Sequence, residues 1–146
     1  MKVKEIGLKN VYCANPSMSP SEIAANMRTY NVGIIPVCDG EKLLGVLTDR
    51  DLVIRCMADN NMNLDVCMDR EIMTSKPTTV TPDTDLEEAA RIMGREQIRR
   101  LPVVDGGNLV GMISLGDIAR ALPDSDSLVA ETFRKISMPV EASVTK

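Results

Sequence analysis

Histidine and tryptophan are absent from this sequence, and its aromatic residues amount to two tyrosines and one phenylalanine. Without histidine the chain lacks the side chain that most often acts as a general base or binds a metal ion. No apolar run approaches the roughly 18 residues of a membrane-spanning helix, and the N-terminal segment lacks the apolar core of a signal peptide. We therefore expect a cytoplasmic protein that has no membrane partner.

No charge of one sign dominates either. The chain has 17 basic and 21 acidic residues, a formal net charge of −4, and the two signs are interspersed. Nucleic-acid-binding proteins carry clustered positive charge, so we expect no nucleic-acid partner. The sequence also lacks the glycine-rich nucleotide-binding loops and any Ser/His/Asp or Cys/His set for nucleophilic catalysis. We therefore expect a protein that binds a ligand without converting it, and neither an enzyme nor a metalloprotein.

The four cysteines, Cys13, Cys38, Cys56 and Cys67, contain no C-x-x-C pair. In a cytoplasmic chain a disulfide framework is uncommon. Cys13 and Cys38 lie in apolar, strand-like runs, and Cys56 lies within a predicted helix. We therefore expect buried free thiols, with a redox or zinc role as the alternative.

The chain repeats itself at an offset of 66 residues, and residues 16–52 align without a gap on residues 82–118. Eleven of the aligned pairs are identical, among them Pro36/Pro102. Two copies of one supersecondary unit predict a pseudo-symmetric domain with two related clefts.

The length of 146 residues allows one good core, whereas either repeat alone would be marginal. We assign residues 1–66 to the first repeat with its connecting helix and loop, and residues 67–123 to the second repeat. Residues 124–146 form a tail to which we assign no function. Together they are expected to form a single globular module.

Each repeat is predicted as strand, helix, strand, strand, helix, so the fold class is α/β. In the first repeat the strands are Val11–Ala14, Ile34–Cys38 and Leu43–Leu47. The first helix is capped by Ser19 and Glu22, and the second runs from Thr48 to about Ala58. In the second repeat the strands are Thr79–Val80, Leu101–Val104 and Leu109–Ile113. One helix is capped by Asp85, another ends at Pro123, and a further helix covers Ser127–Ile136. The helical spacing predicts buried faces formed by Ile23, Met27 and Tyr30, and by Ala89, Ile92 and Met93.

Both repeats carry a glycine, two apolar residues, a hydroxyl and then an aspartate three residues later. The hydroxyl and the aspartate are Thr48 and Asp51 in the first copy, and Ser114 and Asp117 in the second. One interpretation is a helix cap, because the hydroxyl binds a backbone N–H and the helix dipole favours the acid. The other is a nucleoside clamp, in which the helix start attracts phosphate and the carboxylate accepts hydrogen bonds from ribose hydroxyls.

An apolar strand precedes each of these motifs, beginning at Val32-Gly33 in the first repeat and at Ile98-Arg99-Arg100 in the second. A flat apolar wall with free backbone groups suits a purine, and the arginines add positive charge to the second copy alone. The alternative is a solvated charge pair on a strand edge.

These motifs resemble those of a tandem pair of CBS (cystathionine-beta-synthase) domains, a Bateman module of the small stand-alone bacterial or archaeal type. The resemblance covers about residues 3–122. It rests on I-M-T at Ile72-Met73-Thr74, R-R-L-P-V-V-D at Arg99–Asp105, and G-h-h-[ST]-x-x-D in both copies. It implies two β-α-β-β-α units with pseudo-twofold symmetry. It also implies an adenine-nucleotide ligand, AMP, ADP or ATP first and S-adenosylmethionine or NAD next.

The resemblance further implies site residues that mix the two copies. The site with Ser114 and Asp117 would use Val32 and Gly33 for the base and Arg100 for phosphate. The site with Thr48 and Asp51 would use the backbone of Ile98 and Arg99, with Thr74 and Ser75 at its edge. Apolar residues of the two strands, Ile35, Pro36 and Pro102, complete the candidate set. The first copy departs from the pattern, because Gly7-Leu8 replaces Met73-Thr74 and Ile34 replaces Arg100.

The sequence therefore predicts a non-catalytic adenine-nucleotide sensor that acts on a partner protein in trans. The alternative is a degenerate CBS scaffold that binds protein alone, with both hydroxyl–aspartate motifs acting as caps. Apolar helix residues in both copies predict a face that a second copy covers, and hence a homodimer. These residues are Leu52, Ile54, Cys56, Ile118 and Leu122.

Overall fold

The structure, a computed structural model, describes residues 1–8, 10–59, 63–64 and 67–140. The predicted repeat boundary at residue 66 and the end of the tail, residues 141–146, lie outside the described residues. The chain divides into two compact units. The first-repeat unit comprises the described residues of Asn10–Pro77 and Val104–Gly111, and the second-repeat unit those of Met1–Lys9, Thr78–Val103 and Met112–Lys146.

The first-repeat unit is built on an antiparallel hairpin. Its elements are α1 (Pro20–Tyr30), β1 (Ile34–Asp39), β2 (Lys42–Thr48), α2 (Asp49–Asp51) followed by a π-helical turn (Leu52–Met57), a 3₁₀ turn (Asp69–Glu71) and β3 (Thr74–Ser75). β1 and β2 pair from Ile34↔Thr48 to Asp39↔Lys42, and β3 adds to β2 through Val46↔Thr74. Gly40 and Glu41 form the turn between the two strands, and Gly40 has a positive φ of 59°.

The elements of the second-repeat unit begin with a 3₁₀ turn (Val3–Ile6) and α3 (Leu86–Glu96). The hairpin of β4 (Arg100–Asp105) and β5 (Asn108–Ser114) follows, and then α4 (Leu115–Ala121) and α5 (Asp126–Ile136). The residues of this hairpin from Val104 to Gly111 group with the first-repeat unit, in which Asn108 pairs with Lys42 of β2. Every helix in the described part of the chain is too short or too polar to span a bilayer.

Each unit has its own apolar core. In the first-repeat unit the buried residues are Ala14, Ile23, Met27, Ile35, Val37, Leu47, Cys56 and Ile72. In the second-repeat unit they are Val3, Val80, Leu86, Ala89, Ala90, Met93, Leu101, Val103, Ile113, Leu115 and Ile118. The two lists contain the predicted core residues of both helices except Tyr30 and Ile92, so helical and strand periodicity identified most of the buried positions.

The start of α1 is fixed by the predicted capping box. Ser19 Oγ accepts a hydrogen bond from Glu22 N at 3.2 Å, and Glu22 Oε2 accepts one from Ser19 N at 2.8 Å. Pro20 occupies the first helical position, where its missing N–H costs nothing. The helix therefore begins where the sequence predicts.

Two predicted strands are shorter than expected. Of Val11–Ala14 only Ala14 pairs, as a parallel bridge to Val37, and of Thr79–Val80 only Val80 pairs, with Val103.

The prediction that Asp85 caps α3 with its side chain is wrong. Asp85 holds the N-cap position, but its carboxylate forms an ion pair with Lys2 Nζ at 3.0 Å. The backbone of the N-terminal segment takes over the capping, because Met1 O accepts a hydrogen bond from Leu86 N at 3.0 Å. A partner more than 80 positions away in the sequence has replaced the local cap.

Tyr30 and Ile92 are not core residues. The side chain of Tyr30 is 51% exposed and stacks on Tyr12 with ring centroids 4.7 Å apart, while Ile92 is half-buried. Tyr30 is the last residue of α1, where the buried stripe has already ended, and ring stacking covers one of its faces.

The helix predicted from Thr48 to Ala58 changes character after one turn. Residues Leu52–Met57 form a π-helical turn, in which Ala58 N donates to Val53 O, a bond that spans five residues. The corresponding helix of the second repeat, α4, is regular α-helix. The two repeats therefore differ just after their hydroxyl–aspartate motifs.

The predicted apolar dimer face is partly wrong. Cys56 and Ile118 are buried in their own units, and Leu52 and Leu122 are half-buried. Ile54 alone of the five is exposed, at 50%. The hydrophobic cores of the single chain cover the others, so they do not require a second copy.

One polar group in the first core stands out. Asp69 is fully buried, and its Oδ1 accepts a hydrogen bond from Arg70 N at 2.8 Å, while Oδ2 has no hydrogen-bond partner among the described residues. Burial raises the pKa of this carboxyl from its ordinary value of 3.8 to about 6, and the nearby Arg70 opposes the shift. The folded protein therefore holds a proton on Asp69 that the unfolded chain releases more readily.

Asp69→Asn should remove a pH-dependent loss of stability. The pKa of Asp69 is raised in the folded state, so proton binding at this carboxyl stabilises the folded protein. That stabilisation is fully present below pH 3.8 and is lost as the pH rises through about 6. Between about pH 4.5 and 7.5 the free energy of unfolding of the wild type should fall by about 1–3 kcal/mol relative to the variant.

Urea unfolding at both pH values measures this difference, with the exposed Asp124→Asn as the matched control. The pH dependence that comes from titratable groups shared by all three proteins cancels when their stabilities are compared. Equal pH dependence in Asp69→Asn and the wild type would contradict a proton held on the buried carboxyl.

Candidate functional site

Both hydroxyl–aspartate motifs are reciprocal capping boxes. Thr48 Oγ1 accepts from Asp51 N at 3.1 Å, and Asp51 Oδ2 accepts from Thr48 N at 2.9 Å. Ser114 Oγ accepts from Asp117 N at 3.1 Å, and Asp117 Oδ2 accepts from Ser114 N at 2.8 Å. In each repeat the box uses Oδ2 of the aspartate and leaves Oδ1 for another partner.

That partner is an arginine in both repeats. Arg55 Nη2 lies 3.5 Å from Asp51 Oδ1, and Arg120 Nη2 lies 2.5 Å from Asp117 Oδ1. The side chain of Asp51 is 15% exposed and that of Asp117 is 34% exposed. Each box therefore presents one carboxylate oxygen and one guanidinium at the same place, a combination suited to ribose hydroxyls and phosphate.

The two arginines are not equivalent by sequence. At the offset of 66 residues Arg55 aligns with Ala121, and Arg120 aligns with Ile54. Arg55 follows its aspartate by four residues on the wider π-helical turn, whereas Arg120 follows by three on an α-helix. Neither arginine was predicted as a site residue, although an arginine three or four residues after a helical aspartate is the available signal.

In the first-repeat unit the arginine also reaches β3. Arg55 Nη1 donates to Ile72 O at 2.8 Å and to Thr74 Oγ1 at 3.2 Å. Asp51 and Thr74 therefore both contact the Arg55 guanidinium, and Thr48 is joined to Asp51 by the capping box. The position of Thr74 at the edge of a ligand site stays a prediction. Ser75 is exposed and pairs with Gly45 of β2.

Gly45 permits this close approach of β3. A Cβ atom at position 45 would lie 2.6 Å from Thr74 O and 2.6 Å from Met73 Sδ, distances that real side chains do not show. Behind the box, burial and then the nearby carboxylates of Asp51 and Asp59 raise the pKa of the Cys56 thiol. That thiol therefore stays protonated beneath the site.

In the second-repeat unit a cavity of about 400 Å³ lies beside the box. It is lined by Met112, Asp117, Arg120 and Ala121, and by Met1 and residues 5–8 of the N-terminal segment. The volume falls in the range of small-molecule sites. Gly7-Leu8 aligns with Met73-Thr74 at the repeat offset, and this was the only sequence signal for the N-terminal lining.

The starts of β1 and β4 lie beside the box of their own repeat. Gly33 O accepts from Asp49 N at 3.0 Å, and Arg99 O accepts from Leu115 N at 2.9 Å. Arg100, exposed at the start of β4, is therefore near the end of β5 and the second box.

The remaining strand positions differ in exposure. Val32 is 41% exposed, Arg99 is exposed and Ile98 is half-buried. The assignment of Val32 and Gly33 to the site of Ser114, and of Ile98 and Arg99 to the site of Thr48, stays a prediction.

Three candidate residues have packing roles. Ile35 is 1% exposed within the first core, and Pro36 and Pro102 are buried. The prolyl carbonyls accept hydrogen bonds from Ala14 N at 2.9 Å and Val80 N at 3.0 Å. The role of Ile35, Pro36 and Pro102 at a ligand site stays a prediction. Among the described residues no group of three or more cysteine or acidic side chains could hold a metal ion.

Comparison with known proteins identifies the family. The CBS domain model matches residues 3–58 and 70–124 of this chain. CBS domain-containing protein YhcV of Bacillus subtilis is 38% identical over 117 residues, which cover 80% of this chain and 82% of that protein.

Two solved structures carry adenosyl ligands. CBSX2 in complex with AMP has a TM-score of 0.72 and 27% identity, and the match covers 82% of this chain and 94% of that one. The CBS domain pair of protein MJ0100 in complex with 5′-methylthioadenosine and S-adenosyl-L-methionine has a TM-score of 0.69 and 29% identity, covering 83% and 94% of the two chains. The sequence-based prediction of family and fold class is confirmed, and the chain belongs to the CBS domain family as a tandem pair of CBS domains.

Proposed function

We propose that this protein is a non-catalytic sensor that binds an adenine nucleotide and acts on a partner protein in trans. The observation that carries the proposal is the cavity of about 400 Å³ beside Asp117. Its lining offers one carboxylate oxygen for ribose hydroxyls, the Arg120 guanidinium for a phosphate, and the apolar side chains of Leu8 and Met112 for an adenine ring. These are the complementary groups that a nucleotide needs.

The ligands of related proteins support an adenosyl group. CBSX2 is in complex with AMP, and the MJ0100 domain pair with 5′-methylthioadenosine and S-adenosyl-L-methionine. Adenosine is the part that these molecules share. We therefore propose AMP, ADP or ATP as the ligand, with S-adenosylmethionine or NAD next.

A homodimer is part of the proposal. Val53, Ile54 and Met57 of the π-helical turn are 53%, 50% and 67% exposed. Neighbouring exposed apolar side chains favour a closed, twofold-symmetric contact. Such a contact would also give the sensor a means of transmitting a change in one chain to another.

The second candidate is a scaffold that binds protein without a nucleotide. The observation in its favour is that both aspartates are satisfied internally, Oδ2 by the capping box and Oδ1 by an arginine. Each motif can therefore serve as a helix cap with no ligand present.

A thermal-shift panel of AMP, ADP, ATP, S-adenosylmethionine and NAD distinguishes the two functions. A ligand that binds the folded state alone, at about 100 times its Kd, adds about 2.7 kcal/mol of stability. For a chain of this size the melting temperature should rise by about 5–10 °C. An unchanged melting temperature with every ligand at millimolar concentration would favour the scaffold.

Asp117→Ala should weaken nucleotide binding by more than it destabilises the fold. Loss of the cap costs about 1 kcal/mol of stability. Unpaired ribose hydroxyls cost about 1–3 kcal/mol of affinity, which is roughly a 5- to 150-fold increase in Kd. Isothermal calorimetry with AMP measures the loss.

The matched control is Ser19→Ala, which removes a capping box of the same kind from α1, a helix that contributes no residue to the cavity lining. It should lower the melting temperature to a similar degree and leave the Kd unchanged. A lowered melting temperature with unchanged affinity in Asp117→Ala would make this aspartate a cap alone.

Arg100→Ala should lose affinity for AMP and hardly any for adenosine, which has no phosphate. Arg100 is exposed beside the box of Ser114 and Asp117, whereas Ile34 takes its place in the first repeat. A guanidinium bound to phosphate contributes about 1.5–3 kcal/mol, so the Kd for AMP should rise about tenfold or more.

Arg99→Ala is the comparison variant, because Arg99 neighbours Arg100 and has the same charge. Titration of both variants with AMP and adenosine measures the difference. Equal losses for the two ligands, or a larger AMP effect from Arg99→Ala, would reject Arg100 as a second phosphate contact in addition to Arg120.

A further inference from the structure

Two cysteines of the first-repeat unit are in direct contact. Cys13 Sγ and Cys38 Sγ lie 2.9 Å apart, closer than the roughly 3.5–4.0 Å between non-bonded carbon atoms. Cys38 is 3% exposed, whereas Cys13 is half-buried and so can be reached by a small molecule. Both are free thiols in this structure.

The backbone holds these two residues on neighbouring extended segments. Ala14 pairs in parallel with Val37, Cys38 N donates to Ala14 O at 2.9 Å, and Ala14 N donates to Pro36 O at 2.9 Å. Side chains alternate along an extended chain, so Cys13 and Cys38 project from the face opposite to Ala14 and Val37. From a separation of 2.9 Å, the sulfurs need to approach by less than about 1 Å to reach the S–S bond length of about 2.05 Å.

We propose that Cys13 and Cys38 form a dithiol site that is converted to an intramolecular disulfide by a low-molecular-weight disulfide. This site is independent of the nucleotide proposal, since no residue of either capping box takes part.

The chemistry is a pair of thiol–disulfide exchanges. The more exposed Cys13 loses its proton, and its thiolate attacks one sulfur of the reagent, forming a mixed disulfide and releasing the first thiolate. Cys38 Sγ then gives up its proton to solvent and attacks Cys13 Sγ, and the second thiolate leaves. The two cysteines lose two electrons and two protons in total, and one reagent disulfide becomes two thiols.

The order of attack follows from the environment of the two thiols. Burial and the contact with Cys13 raise the pKa of Cys38 to about 12, so Cys38 stays a thiol until the mixed disulfide is next to it. The resulting bond would tie the segment that enters α1 to β1, and would close a loop over residues 13–38. Closing a loop restricts the unfolded chain and so raises stability.

Cys67 supplies the matched control. It is also half-buried and its pKa is also raised to about 12, but its Sγ donates to Glu71 Oε2 at 3.0 Å. Its hydrogen-bond partner is thus a carboxylate and not a second thiol. Cys67→Ser should therefore leave disulfide formation intact.

The test equilibrates the full chain with oxidised and reduced glutathione at graded ratios, followed by mass spectrometry and thiol titration in denaturant. We expect the number of free thiols in each chain to fall from four to two, and the mass of the chain to decrease by two hydrogen atoms. The melting temperature should rise by about 5–10 °C and return to its original value with dithiothreitol.

Cys13→Ser and Cys38→Ser should each abolish the loss of two hydrogen atoms, whereas Cys67→Ser should retain it. Proteolytic mapping of the oxidised wild type, which needs no variant to fold, should recover the peptides of Cys13 and Cys38 joined. Retention of all four thiols at the most oxidising ratio would overturn the proposal. So would stable glutathione adducts, bonds between chains, or a mapped bond that includes Cys67.

Discussion

The architecture depends on one interaction, the reciprocal pair of hydrogen bonds between a strand-end hydroxyl residue and the aspartate three residues later. In each repeat this box joins the last residue of a hairpin to the first turn of a helix. A backbone bond from the same turn to the preceding strand, Asp49 N to Gly33 O or Leu115 N to Arg99 O, fixes the hairpin at the same point. Strand, turn and helix therefore meet at a rigid corner that has a defined carboxylate at its tip.

The same corner explains how a structural motif can also bind a ligand. The box occupies one oxygen of the aspartate, and the arginine that holds the other oxygen is itself partly in water: Arg55 is 43% exposed and Arg120 is 74% exposed. Ion pairs of this kind contribute about 0–1 kcal/mol. A ribose hydroxyl can exchange with the guanidinium at little energetic cost, and the released guanidinium is then available to an anion. In the proposed function, capping and ligand binding would thus use different oxygens and would not exclude each other.

Local patterns predicted the parts of the fold that local interactions determine. The capping box of Ser19 and the hydroxyl–aspartate motifs each lie within a few residues, and the repeat offset located the hydroxyl–aspartate motif twice. Interactions between distant residues left no comparable signal. Met1 and residues 5–8 line the cavity, Met1 also caps α3, and Lys2 pairs with the carboxylate of Asp85, all of which depends on tertiary packing. The arginines of the site were missed because they stand at different positions in the two repeats, so the offset that located the aspartates could not locate them.

The π-helical turn Leu52–Met57 has a consequence for how two copies of one unit can work together. Identical copies would fill at the same concentration and give a single, narrow dose response. Here the wider turn holds Arg55 between Asp51, Ile72 and Thr74, whereas Arg120 pairs with Asp117 beside an open cavity. Arg55 therefore has more hydrogen bonds and ion pairs to give up to a ligand than Arg120 has. Under the proposed function, copies that differ in this way would fill in sequence, and two such thresholds would report nucleotide concentration over a wider range than either copy alone.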